Sequence, residues 1–412
     1  MAERGRQSRP PFIFTLAIKD SMDSSKEVSP TDGFDLFRND LLIRVQRKLH
    51  IAPQTGLGVV RRAIFFALFS WLPLIAWAAL NDRLVDAQSG EPLLAHFGIH
   101  IRSLVAIPLL IIAEAMAYKV IHRIVSQFRM SGIISDEHHP AFLGILNDAA
   151  RLRDSSYPWI VLFCLTIAWT LGSPVHADSD EMSWALNGTS FGFGGWWFLY
   201  VTRPIFLVLL LGWLWRIALV ILLFRRLSRL ELSLVPTHPD KTGGLGFIKG
   251  LPSAYFMVTL AISSVLASRW MHEMVYHEQT LSSFKLPFAL FAVIWTAIVL
   301  SPLFLMAPCL SAMKRKALLS YGALIGKHGR LVHQRWILGQ TVAQNDLLDA
   351  PELGPVADTA AVYDAVQNVN PLPVNKSTFM AVLIPLMLPM LFVVANQIPI
   401  RELLLKLLKT LA

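Results

Sequence analysis

The feature that most constrains this chain is a series of apolar runs, each close to the length a helix needs to cross a lipid bilayer. A hydrocarbon core about 30 Å thick takes roughly 20 residues at about 1.5 Å rise each. Backbone amides in lipid must be satisfied within their own segment, so separate apolar runs of this length read as helices. The runs fall at 63–80, 103–118, 157–171, 198–224, 254–268 and 286–310. The clearest is 198–224, which Trp196, Trp197 and Tyr200 open and Arg225, Arg226 and Arg229 close, giving an aromatic girdle at one interface and a basic stop at the other. A seventh run at 379–395 is interrupted by Pro385 and Pro389 and reads as a crossing in preference to a Pro-kinked hairpin.

Composition agrees with the pattern. The chain is 54% hydrophobic and 16% charged, with a mean hydropathy of +0.51, which excludes an ordinary soluble domain. The expected fold is therefore an all-α polytopic transmembrane helix bundle of six or seven spans, with short cytoplasmic helices and a C-terminal amphipathic helix. The net charge of +9 comes from short Lys and Arg clusters beside apolar runs, so anionic lipid headgroups, not nucleic acid, are the implied partner. Cys164 and Cys309 both fall inside spans and read as buried packing residues.

Orientation follows from the loops. The 172–196 connection carries Asp178, Asp180 and Glu181 and no Lys or Arg, whereas the connection after 198–224 carries Arg225, Arg226, Arg229, Lys241 and Lys249. The positive-inside rule places the second, and with it the N-terminus, on the cytoplasmic side. The chain divides into a flexible tail (1–33), an amphipathic lead-in helix (34–60), a six-span membrane domain (61–313), a cytoplasmic segment (314–377) and a closing apolar and amphipathic piece (378–412). Met22 is an alternative start. In the lead-in, Phe34, Phe37, Leu41, Val45 and Leu49 repeat at helical spacing and predict its apolar face. Ser135 precedes a predicted helix at 140–153, and Glu402, Lys406 and Lys409 line one face of a helix at 400–411. Ser264 and Ser268, one turn apart, predict close approach of a neighbouring helix.

The most distinctive string is Pro236-Thr-His238-Pro239-Asp240-Lys241-Thr242-Gly243-Gly244-Leu-Gly246-Phe247, on the cytoplasmic side. His238 and Asp240 beside Gly243, Gly244 and Gly246 suit either an anion concavity with proton carriers or a tight glycine turn, and turn chemistry is the stronger reading. The spacing is not that of a phosphate loop. With this string, and with the closing Ile398-Pro399-Ile-Arg401-Glu402-Leu-Leu-Leu-Lys406, the chain resembles a family of uncharacterised bacterial polytopic inner-membrane proteins from about Phe34 onward. The resemblance implies a bacterial inner-membrane location and no particular activity.

Ionisable groups within spans are the next candidates, because a mid-bilayer charge costs several kcal/mol unless paired or hydrated. Glu114 and Arg216 both belong to the cytoplasmic half, close enough in depth to pair, with a structural clamp favoured over an ion relay. His272 and His277 flank Glu273 and Tyr276, but at about 100° per residue their five-residue spacing splays them by about 140° on a helix. No metal site, cofactor or catalytic residue is expected there. His138 and His139, with Asp136 and Glu137, suit helix capping, and the tryptophans at 159, 169, 213, 215, 270 and 295 suit packing or the interface. A transport or conduction protein is the first functional reading. A non-catalytic scaffold or sensor with a protein partner at the cytoplasmic segments is the alternative, and a membrane-embedded enzyme using His238 and Asp240 comes third.

Overall fold

The apolar runs are helices in the computed structural model, which describes residues 40–53, 56–85, 91–172, 180–187, 190–341 and 354–397. A short helix α1 (Leu41–Lys48) leads to α2 (Val59–Leu80). Helix α3 (Phe97–Met130) is followed by α4 (His139–Asp154), α5 (Tyr157–Gly172) and α6 (Phe193–Leu227). Helix α7 (Leu245–Tyr276), α8 (Leu281–Val332), α9 (Gly354–Gln367) and α10 (Lys376–Gln397) complete the order. Among the described residues, 7 helical stretches are long and apolar enough to cross a membrane, so the protein is a multi-pass α-helical membrane bundle. The third of these combines α4 and α5, with α5 alone spanning only about 24 Å at 1.5 Å per residue.

The helices are built for lipid. In α2 the small residues Ala63, Ala67, Ser70 and Ala78 are buried while Phe65, Leu68, Phe69 and Leu72 are exposed. Lipid removes the penalty for exposing large apolar groups, and small residues let helix backbones approach. The core gathers around α3, where Leu110, Ala113 and Ala117 meet Trp213, Ile217 and Val220 of α6, Val258 and Ala261 of α7, and Val299 and Leu303 of α8. Charged connections collect at one end, carrying Arg225, Arg226, Lys241 and Lys314, here called the basic end; the other is the far end.

Helix α10 runs the full depth of the bundle beside α7. Thr378 Oγ1 donates to Lys249 O (3.2 Å) at the basic end, Ser263 Oγ donates to Leu386 O (2.5 Å) midway, and Asn396 Nδ2 reaches Met271 Sδ (3.6 Å) at the far end. The seventh run is thus one continuous helix containing Pro385 and Pro389, and a hairpin is excluded. Ser263, not the pair anticipated from spacing, makes the close approach; Ser264 and Ser268 bond back to their own helix at Leu260 and Val265.

Three other expectations change. Helix α8 continues unbroken for 52 residues, about 78 Å, through Lys314, Arg315 and Lys316, so the start of the 314–377 segment is an extension of the sixth span. Helix α1 buries Ile43 and Gln46 and leaves Val45 and Leu49 exposed, because polar partners deeper in the bundle, described below, set its rotation. Cys164 is exposed on α5, and the Cys309 thiol donates to Ser228 O (2.9 Å), so neither is a buried apolar filler. The predicted tail at 1–33, Phe34, Phe37 and the predicted helix at 400–411 lie outside the described residues.

Candidate functional site

Glu114 and Arg216 do meet, inside a larger buried chain of charges at the basic half. Glu114, fully buried on α3, accepts from Arg62 Nη1 of α2 (2.6 Å) and from Arg216 Nη1 of α6 (3.1 Å). Arg216 also donates through Nη2 to Asp40 Oδ2 (2.7 Å), just ahead of α1, and its guanidinium lies over the Trp213 ring (5.2 Å). Arg62 Nε in turn donates to Gln46 on α1. Two carboxylates and two guanidiniums alternate, so the formal charges cancel. That arrangement explains why α1 turns Gln46 inward at the expense of its apolar repeat. Arg62 flanks the apolar run at 63–80 and Asp40 lies within the amphipathic lead-in, so neither stands out in the sequence as an intramembrane charge.

The glycine string folds around a single carboxylate. Asp240 Oδ1 accepts from the amides of Thr242 (2.8 Å) and Gly244 (3.1 Å), and Oδ2 accepts from that of Gly246 (2.6 Å). His238 Nδ1 lies 2.9 Å from Oδ1. Gly243 and Gly244 adopt positive φ (65° and 97°), and a Cβ at Gly246 would stand 2.8 Å from Asp240 Oδ2. Partial burial pushes the Asp240 carboxyl up, but the three amides and His238 outweigh it and hold the pKa at about 2. The concavity suggested by the sequence is therefore filled by the protein's own anion, and the loop serves as a turn. It also borders a cavity of ≈ 290 Å³ shared with Gln127 and Ser131.

The far end holds a different arrangement. A cavity of ≈ 330 Å³ opens between α3, α6 and α7, lined by Arg102, Arg203 and Arg269 together with His96, His272 and Phe198. Arg102 lies in a π-helical stretch of α3 (Ile101–Ala106), and Arg203 directly follows one in α6 (Phe198–Thr202). Such local widenings re-aim side chains and recur at functional sites. The Arg102 guanidinium sits over the rings of Phe198 (5.5 Å) and Phe206 (5.6 Å), which orient it. Arg203 lies within the run at 198–224 and was legible as an intramembrane charge; Arg102 and Arg269 fall just beyond the predicted ends of their spans.

His272 and His277 share this end, and the structure overturns their predicted divergence. Helix α7 stops at Tyr276, and Glu278 takes a positive φ of 52°, so the helical splay ends one residue before His277. The chain turns back and the two rings lie 5.6 Å apart. Burial, and then the neighbouring His272, push the His96 imidazole down to about 4. Ser135 precedes the 3-10 turn at Asp136–His138 but its side chain caps no backbone amide; its Oγ lies 2.8 Å from His138 Nδ1 instead.

Comparison with models of known protein families, with curated proteins and with solved structures finds no match to this chain. The functional reading therefore rests on geometry. The basic half holds a charge-neutral clamp, whereas the far half holds a cationic, partly aromatic cavity of the size that takes a small ligand.

Proposed function

We propose that this protein is a transport protein of a bacterial inner membrane that takes a small anion from the non-cytoplasmic side. The observation that carries the reading is the far-end cavity, where Arg102, Arg203 and Arg269 face a common space. Their planar donors suit carboxylate or phosphate oxygens, and Arg269 also lies 3.9 Å from Glu273. Positive-inside bias supports a cytoplasmic basic end, since Lys241 and Arg229 lie in its 228–244 loop while the 173–192 connection has no Lys or Arg. The ion pairs around Glu114 tie α2, α3 and α6 together in the basic half, which suits a carrier open towards the far end.

The test is uptake by proteoliposomes of labelled phosphate, sulfate, acetate and citrate, paired with binding of each anion to detergent-purified protein. One of them accumulates with the wild type, and Arg203→Gln lowers its binding about 10- to 100-fold through loss of a charge-assisted hydrogen bond. Unchanged binding and uptake in the Arg102→Gln/Arg203→Gln double variant would sink the reading. A receptor that binds the same anion without carrying it is the second reading, favoured by the unbroken run of α8 from the membrane towards α9, where Gly322 lies against Tyr363. Binding sensitive to the arginines, with no uptake of any anion, selects it.

A further inference from the structure

At the far end, residues from two connections distant in sequence converge on one point. Glu91 precedes the short 3-10 turn Leu93–Ala95 that leads into α3, and His272 and His277 close α7. One ligand atom from each of these three side chains lies within 4.8 Å of the others. His272 is 6% exposed, and its Nδ1 lies 3.3 Å from Ala95 O, which fixes that nitrogen as the donor. Its Nε2 faces Glu91 Oε2, 3.3 Å away, and both atoms are buried.

We propose that Glu91, His272 and His277 form a binding site for a divalent first-row transition metal of the zinc class. A buried imidazole nitrogen and a carboxylate oxygen at this separation offer two ligand atoms to a cation, proton or metal ion, and His277 supplies a third. Two ligand atoms each about 2.0–2.1 Å from a tetrahedral zinc stand about 3.3 Å apart, the separation seen here between His272 and Glu91. Two imidazoles and one carboxylate suit zinc and its neighbours better than magnesium or calcium, which prefer all-oxygen sites. The bond from His272 Nδ1 to the Ala95 carbonyl is the outer-shell contact that metal-bound histidines usually carry. His96, whose buried Nε2 lies 3.8 Å from the same Glu91 oxygen, borders the site. Three protein ligands leave a coordination position open, and His272 also lines the arginine cavity. The site stands on this geometry and is independent of the anion reading.

The experiment uses the untagged full-length protein in detergent, stripped with chelator and titrated with Co²⁺, with displacement by Zn²⁺ and metal content per chain as second readouts. The expected result is one Co²⁺ per chain with visible absorption of a low-coordinate site, lost on adding Zn²⁺, and a rise in Tm with Zn²⁺. His277→Gln and Glu91→Gln each weaken Zn²⁺ binding at least 10-fold and abolish the Tm rise. His277 is only half-buried, so its variant tests the site without emptying the core. His333→Gln, exposed beyond the basic end of α8, leaves binding unchanged. Absence of stoichiometric binding, or binding equally tight in His277→Gln and Glu91→Gln, would overturn the proposal.

Discussion

At the residue scale, Asp240 shows how a motif that looks catalytic can be spent on the backbone. Its oxygens already hold three amides, so removing the charge should unfold the loop instead of silencing a reaction. Asp240→Asn loses at least one of these acceptors and turns an NH2 towards a donor, which costs about 1–3 kcal/mol. The pH dependence has a definite sign. A carboxyl held at about 2, below its ordinary 3.8, contributes stability that is complete above about pH 4 and lost as pH falls through 2. Thermal unfolding of detergent-purified protein at neutral pH should show the asparagine variant destabilised, and the gap to wild type should narrow towards pH 2. A gap that does not change with pH would show that the charge is not what holds the loop. The same logic explains why the glycines were only half legible. Positive φ at Gly243 and Gly244 follows from turn chemistry, but the need for Gly246 appears only once Asp240 occupies the space a Cβ would take.

The buried charges act at the scale of elements, joining α2, α3, α6 and the segment that enters α1. Each member is compensated only through its neighbours, so deleting one leaves an uncompensated buried charge, a loss of about 3–5 kcal/mol. Glu114→Gln leaves Arg62 without a carboxylate and Arg216 with Asp40 alone, and should lower Tm sharply. Adding Arg62→Met to it should cost less than the sum of the two single changes, by about 1–3 kcal/mol, because the second change removes a charge the first left unpaired. Strict additivity in unfolding experiments would show that the two side chains do not share a network. Much of this level was readable beforehand: the positions of the spans, the helix at His139–Asp154 and the Glu114–Arg216 pair follow from periodicity and depth, although α3 and α7 run well past the predicted 103–118 and 254–268. What periodicity could not provide was partnership across the bundle. A basic residue at the mouth of an apolar run reads as interfacial whether it snorkels to water or, like Arg62, turns inward to a carboxylate. For His277, helical spacing was applied past the point where the helix ends.

For the whole molecule, the decisive issue is which way the two unlike ends face, because the proposed anion cavity and metal site at the far end have different meanings on the two sides of a membrane. Seven crossings with the basic end cytoplasmic would put the last described residues of α10 on the opposite face. Replacing Cys164 and Cys309 by serine gives a background in which single cysteines report topology to a membrane-impermeant maleimide in intact cells. Asn396→Cys, exposed at the far end of α10, should label without permeabilisation, as should Glu278→Cys in the turn after α7. Ser320→Cys, exposed on the extension of α8 beyond the basic end, should label only after permeabilisation. Labelling of Ser320→Cys in intact cells together with protection of Glu278→Cys would reverse the orientation and with it the direction of the proposed uptake. Protection of Asn396→Cys alone would remove the seventh crossing while leaving the cavity between α3, α6 and α7 on the outer face. The packing argues against that last outcome, since α10 contacts α7 from Lys249 at one end to Met271 at the other, a path that only a full crossing can follow.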